Sequence, residues 1–211
     1  MKIKLVPAEQ EAEFIRHARA ETLKSIDEEV TAEAIEPSPF ALYLIAYDGN
    51  RPVALAEIAF HDQVYESFAK SPYPQSFNLD SFCPFDSMAG IRTIYVEPDY
   101  RQRAGSIYLQ LIFAGGLVVG PLGARFATAT TNAADAYLNR LYRKTGGKEM
   151  ETFVMHGAAK CEVALYVFDL NVLLNHKLID RVASSTECEI DLEVAREIRS
   201  RSRWDEERRC A

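Results

Sequence analysis

The run Ile91-Arg-Thr-Ile-Tyr-Val-Glu-Pro-Asp-Tyr-Arg-Gln-Arg-Ala-Gly-Ser106 restricts the fold of this chain more than any other. Ile91 to Val96 reads as a strand that must end at Pro98, because proline has no amide to give to a ladder. Gly105 to Val119 then reads as an apolar helix, closed by Gly120-Pro121 and Gly123. A strand, a turn rich in Arg and small residues, and a helix together suit the binding of phosphate. A helix start offers unpaired N–H groups and the positive end of the macrodipole. Ala104, Gly105 and Ser106 are small enough to let a diphosphate approach the backbone, and Arg101 and Arg103 add charge-assisted contacts. The same turn also reads as a polar loop that caps a helix.

Composition narrows the class. The 211 residues are 48% apolar and 26% charged, the proportions of a globular protein with a substantial core. Lys plus Arg number 24 against 31 Asp plus Glu, a net charge of −7, which argues against a nucleic-acid partner. Cys83, Cys161, Cys188 and Cys210 lie far apart without a CxxC pair, so neither a structural zinc site nor a disulfide framework is expected. His61-Asp62 has no third ligand in sight, and no metal is expected. The N-terminus MKIKLVPAEQ lacks the apolar core of a secretory signal. The longest apolar runs, Leu111 to Gly120 and Val163 to Phe168, fall far short of the roughly 20 residues that cross a bilayer. The expectation is a soluble, cytoplasmic protein with reduced thiols.

Periodicity orders the rest. Lys2 to Val6 alternates as a strand, and residues 8–23 carry Phe14, Ile15, Ala18 and Thr22 at helical spacing. An acidic helical stretch from Ser25 to Glu36 stops at Pro37-Ser-Pro39. Ala41 to Tyr47 and Val53 to Phe60 flank Asp48-Gly49-Asn50, a strong hairpin signal. Residues 61–89 show no period but are rich in aromatic side chains and proline, as an ordered functional lid would be. Arg125 to Thr130 reads as a strand, Ala133 to Lys144 as a helix ended by Gly146-Gly147, and Lys148 to His156 with Cys161 to Leu170 as a final hairpin. After Leu170 the chain changes character: a short helix over 172–182 precedes a charged helix striped by Ile190, Val194 and Ile198. The expected division is a domain over 1–170 and a helical extension over 171–211 that docks on it or on a partner.

Val96, Pro98, Tyr100 and Arg101 fall in register with the Val-x-Pro-x-Tyr-Arg run by which the GNAT superfamily of N-acetyltransferases binds the pyrophosphate of acetyl-coenzyme A, and the sequence resembles that superfamily. The glycine positions of the family's pattern are held by Ala104 and Ser106. Thr131-Asn132, followed by Leu141-Tyr142-Arg143-Lys144-Thr145-Gly146-Gly147, is similar to a second family pattern. The order of elements agrees over roughly residues 1–170, the motifs over about 91–147. The resemblance implies an α+β (α/β/α) fold: a mixed, mostly antiparallel sheet flanked by helices, with the C-terminal helical extension added.

The resemblance also implies roles. The backbone of Ile94, Tyr95 and Val96 would meet the pantetheine arm and polarise the thioester. Arg101, Gln102, Arg103, Ala104, Gly105 and Ser106 would hold the pyrophosphate, and Asn132 would meet the pantetheine or simply cap a helix. Tyr142 would give a proton to the departing sulfur, a phenol being protonated near neutrality; its plain alternative is a core tyrosine. Glu57 is the first candidate base for the amine, ahead of His61 and Asp62, with a solvated strand position as its alternative. The implied activity is transfer of an acetyl or other acyl group from an acyl-CoA to a small-molecule primary amine. An alternative donor is a long acyl chain on acyl carrier protein, docked on a basic patch of Arg92, Arg101, Arg103, Arg140 and Arg143, as in relatives that make N-acyl amino acids or acyl-homoserine lactones. A catalytically inactive binding module is the third reading. The tail helix and the sheet edges suit a homodimer, and no membrane partner is expected.

Overall fold

A computed structural model describes residues 1–25, 30–64, 87–154 and 162–201. The chain opens with strand β1 (Lys2–Val6) and helix α1 (Ala12–Ser25). A single turn, α2 (Ala32–Ile35), is capped by Thr31, whose hydroxyl accepts from the Ala34 amide, and ends before Pro37. Of the acidic helix expected over 25–36, residues 26–29 lie outside the described residues. The expected hairpin is β2 (Ala41–Asp48) and β3 (Arg51–Phe60), turning through Gly49 at φ 60°, a conformation that favours glycine. One turn of helix, α3 (His61–Val64), follows β3 directly. The aromatic lid expected over 61–89 falls mostly outside the described residues.

Strand β4 (Met88–Val96) leads through a 3₁₀ segment (Pro98–Arg103) into helix α4 (Ala104–Val119). Strand β5 (Phe126–Asn132), helix α5 (Ala136–Lys144) and the pair β6 (Lys148–Val154) and β7 (Glu162–Asp169) follow. Gly146, at φ 91°, ends α5. The helix expected over 172–182 is two, α6 (Leu170–Leu174) and α7 (Lys177–Ala183), because Asp169 and His176 each cap a separate start. Strand β8 (Glu187–Glu189) and helix α8 (Leu192–Ser200) complete the described chain. None of the described helices is long and apolar enough to cross a membrane.

The eight strands form one sheet in the order β6-β7-β5-β4-β3-β2-β1-β8. Five of its seven pairings are antiparallel; β4–β5 and β1–β8 are parallel. Helices α4 to α8 cover one face through a core of Leu44, Ile58, Leu111, Val118, Tyr166 and their neighbours. Helix α1 covers part of the other, its Ile15 and Ala18 packed with Tyr43, Ile45, Leu55 and Tyr95. The mixed, mostly antiparallel sheet flanked by helices is the architecture the sequence implies.

The tail is built into this body. Ile179, Val182, Ala195 and Ile198 belong to the α4-side core, and β8 adds an eighth strand to β1, where Lys2 and Lys4 pair with Glu187 and Glu189. Among the described residues, those after 170 thus pack on the α4-side core of the preceding domain. Cys188, on β8, is a half-buried free thiol.

Candidate active site

The sheet is split at its centre. β4 and β5 pair only from Met88–Ile91 to Phe126–Ala129, and beyond that both strands run on without each other, to Val96 and Asn132. A cleft of about 470 Å³ opens in the gap, lined by Ile91, Arg92 and Ile94 on one side and by Thr130, Thr131 and Asn132 on the other. That volume is of ligand-site size. Thr22 and Ser25, in the last turn of α1, close one end of it.

The split leaves backbone groups turned into the cleft. Glu97 donates its N–H to Val53 O at 2.9 Å, so by antiparallel alternation Glu97 and Tyr95 face β3 while Val96 and Ile94 face the gap. No described strand pairs with that edge past Ile91. Of the three residues Ile94, Tyr95 and Val96, the outer two present N–H and C=O groups. The backbone of Tyr95 serves the β3 ladder, and its phenol, 3.1 Å from His17 Nε2, is pushed up to about 12 by burial.

Arg101, Gln102 and Arg103 are exposed along the 3₁₀ segment, with Arg101 Nε reaching Val96 O at a long 3.5 Å. Ala104, Gly105 and Ser106 form the first turn of α4, which has no side-chain cap. A Cβ at Gly105 would collide with the Tyr137 hydroxyl, so the half-exposed phenol of Tyr137 stands directly over the helix start. The motif reading did not single out Tyr137; it is the second residue of α5, and its phenol meets the start of α4 only in three dimensions.

Glu57 lies on the α1 face and is 0% exposed, so the solvated alternative does not hold. Thr93 Oγ1 donates to its Oε2 at 3.0 Å, Arg19 Nε stands 3.7 Å from Oε2, and Arg92 Nη1 stands 3.5 Å from Oε1. Arg19 comes from α1, and no sequence spacing announces that it meets β3. His61, 1% exposed, is hydrogen-bonded to Thr128 at 2.9 Å, and burial lowers its pKa to about 4. Asp62 carries an ion pair with Arg199. None of Glu57, His61 and Asp62 lines the cleft.

Tyr142 is buried in the α4-side core, its ring edge-on to Tyr166 and Phe168 at 5.3 and 5.5 Å. Burial raises its phenol above the ordinary value. It lines a narrow apolar pocket of about 20 Å³ together with Leu111, Gly115 and Ala127, and that pocket shares Ile91 and Ile94 with the cleft. Tyr142 does not itself line the cleft; Ile91 and Ile94 stand between its pocket and the open edge of β4. Asn132 lines the cleft and accepts the Ala134 N–H at 2.8 Å, while Asp135 caps α5. Of the expected basic patch, Arg143 is paired with Glu149 and Arg92 faces Glu57 on the other side of the sheet.

No family model and no curated protein matches the sequence. Solved structures do resemble the fold. A CoA-dependent acyl-homoserine lactone synthase, BjaI, seen with SAM and isopentyl-CoA, superposes with a TM-score of 0.62 at 17% identity, over 93% of this chain and 98% of that one. FeeM, an N-acyl amino acid synthase from uncultured soil microbes, gives 0.58 at 9% identity, over 85% and 96%. A GNAT-family protein from Desulfovibrio desulfuricans gives 0.52 at 15% identity, over 80% and 98%. At such identities the likeness is one of fold, and the fold is that of GNAT proteins.

Proposed function

We propose that this GNAT-fold chain is an acyltransferase that moves an acyl group from an acyl-CoA to a primary amine. The observation that carries the reading is the split of β4 from β5, which leaves the edge at Ile94 and Val96 unpaired by any described strand, with Ile94 on the wall of a ligand-sized cleft. Such an edge can pair with the amides of a pantetheine arm as a further strand would. An N–H on that edge polarises a thioester carbonyl, where charge develops as the amine attacks. The exposed Arg101 and Arg103, with Gln102 and the small residues Ala104, Gly105 and Ser106, sit where the pyrophosphate would lie. Tyr137, whose phenol stands over that turn, would have to move for the pyrophosphate to enter, and Asn132 would meet the arm from β5.

In the reaction the neutral amine forms the C–N bond, the C–S bond breaks, and the electron pair leaves on sulfur. Tyr142 supplies the proton that the thiolate takes up, its phenol kept protonated by burial. The attacking nitrogen sheds one proton to water in the cleft, and water must return one to the Tyr142 phenolate, so that no net proton is gained or lost. Glu57, without exposed atoms, holds Arg19 and Arg92 in place instead of taking that proton.

A second reading within the same chemistry is a donor with a longer acyl chain; the apolar pocket beside Ile91 and Ile94, about 20 Å³, holds no such chain as it stands and would have to open to take one. Such a chain arrives on CoA or on acyl carrier protein. Isothermal titration with coenzyme A and acetyl-CoA tests the common premise. The wild type should bind, and the double variant Arg101→Glu, Arg103→Glu should bind at least tenfold more weakly. Absence of binding and turnover with every acyl-CoA from acetyl to dodecanoyl overturns the assignment. Binding without release of free thiol against a broad amine panel would make the chain a binding module.

A further inference from the structure

We infer that the acceptor carries a carboxylate beside its amine and that Arg92 binds this carboxylate on the α1 face of the split. The inference rests on the acyltransferase reading and deepens it. The placement of Arg92 is the first observation. Glu57 pairs with Thr93 and Ile58 with Ile91, so Arg92 is the extra residue of a β-bulge. A bulge re-aims the side chain it inserts. Here it turns Arg92 onto the same face as Thr93, where the guanidinium lies at the edge of the cleft, 31% exposed, near Thr22 and Ser25.

Charge is the second observation. Glu57 is a fully buried carboxylate with a guanidinium on either side, Arg19 at 3.7 Å and Arg92 at 3.5 Å, and its Oε1 accepts no hydrogen bond among the described residues. Arg19 is nearly buried and also donates to the Glu36 carbonyl. Two cations against one anion leave an excess of one positive charge, and Arg92 is the member that presents it to the cleft. Arg92 itself makes the long contact to Glu57 and no hydrogen bond to a described residue. The acid that also lines the cleft, Asp135, already accepts the N–H groups of Tyr137 and Leu138.

Position separates this charge from the donor's phosphates. The start of α4 lies past Val96, four residues along β4 from Arg92, about 13 Å at a strand's rise. The carbonyl-polarising edge of Ile94 and Val96 lies between the two. Tyr142 and the apolar pocket are on the opposite face, so donor and acceptor approach the split from opposite sides. A guanidinium fork matches a carboxylate two bonds at a time and holds its amine at a set distance.

The test compares acids with their amides. The twenty protein amino acids and the corresponding carboxamides are offered with acetyl-CoA and with hexanoyl-CoA, and thiol release is followed. At least one acid should exceed its carboxamide by tenfold or more in kcat/KM. Arg92→Gln should bring that ratio to within threefold of unity through KM, with coenzyme A titrating as it does in the wild type. Equal use of acids and amides, with transfer intact, overturns the inference and leaves the acyltransferase reading standing. No transfer and no coenzyme A binding by the wild type takes both down. A ratio untouched by Arg92→Gln moves the carboxylate to another residue and also refutes the assignment.

Discussion

Both terminal nitrogens of Arg199 reach the carboxylate of Asp62, each at 2.8 Å, and the same guanidinium lies 4.0 Å over the ring of Phe60. One residue further along α3, Gln63 Nε2 lies within hydrogen-bond distance of the carbonyls of Ile198, Arg199 and Arg201 at the end of α8, where Ile198 O also accepts the Arg201 N–H. The C-terminal helix is thus latched where β3 ends. The ion pair is partly exposed, so Asp62→Asn should cost about 1 kcal/mol or less. Gln63→Ala removes a buried amide that ties α3 to the end of α8 and should cost more, about 1–3 kcal/mol. At this chain length each kcal/mol is roughly 2–4 °C in Tm. Thermal melts should place Gln63→Ala below Asp62→Asn, and the reverse order would refute this account of the latch.

His61 makes stability depend on pH on the acid side. Burial lowers its pKa from 6.5 to about 4, so the folded protein holds it neutral while the unfolded chain protonates it below pH 6.5. A depressed folded pKa contributes stability above the unfolded value, which is lost as pH falls toward the folded one. The loss between pH 6.5 and 4 is about 3 kcal/mol for this one residue. Denaturant titrations across that window should show the slope in the wild type and a shallower one in His61→Gln.

What could be read from the chain was local. Asp48-Gly49-Asn50 announced its hairpin because the turn chemistry is contained in three residues, and the Val96-to-Arg101 run placed the strand, turn and helix that bound the split. Strand β8 was not legible: Glu187-Cys-Glu189 offers only Cys188 as an apolar residue, and its partners Lys2 and Lys4 stand at the other end of the chain. Glu57 looked like a solvated position or a base because alternation on β3 does not reveal that α1 covers that face as well. The bulge at Arg92 leaves no mark in a pattern of apolar and polar residues, since an inserted residue only shows against its partner strand.

Gly115 tests the longer-chain donor. Its missing side chain is filled by Ile58, and a Cβ there would stand 2.7 Å from Ile58 Cδ1, on the wall of the apolar pocket. Gly115→Ala adds a methyl group to that wall and displaces the end of Ile58, a packing cost that the gain in helix propensity, about 1 kcal/mol, partly offsets. With a longer acyl chain in the pocket, kcat/KM for hexanoyl-CoA should fall about tenfold more than for acetyl-CoA. A folded variant whose two donors suffer equally would show that the chain lies elsewhere.

Tyr142→Phe separates chemistry from packing. The ring contacts with Tyr166 and Phe168 survive the change, so the melting temperature should move by no more than a few degrees. If the hydroxyl delivers the proton to the leaving sulfur, kcat should fall by about 100-fold, the lower end of what a placed acid supplies. The alkaline limb follows from burial, which raises this phenol above its ordinary value of 10.0. It therefore stays protonated across neutral and mildly alkaline pH, and wild-type kcat should show no decline from this group below pH 10. The same sign governs stability: a raised folded pKa contributes fully below the unfolded value and is lost as pH climbs past it, so alkaline unfolding should begin above pH 10. An unchanged kcat in a well-folded Tyr142→Phe would reduce Tyr142 to a member of the aromatic core and pass the proton to water.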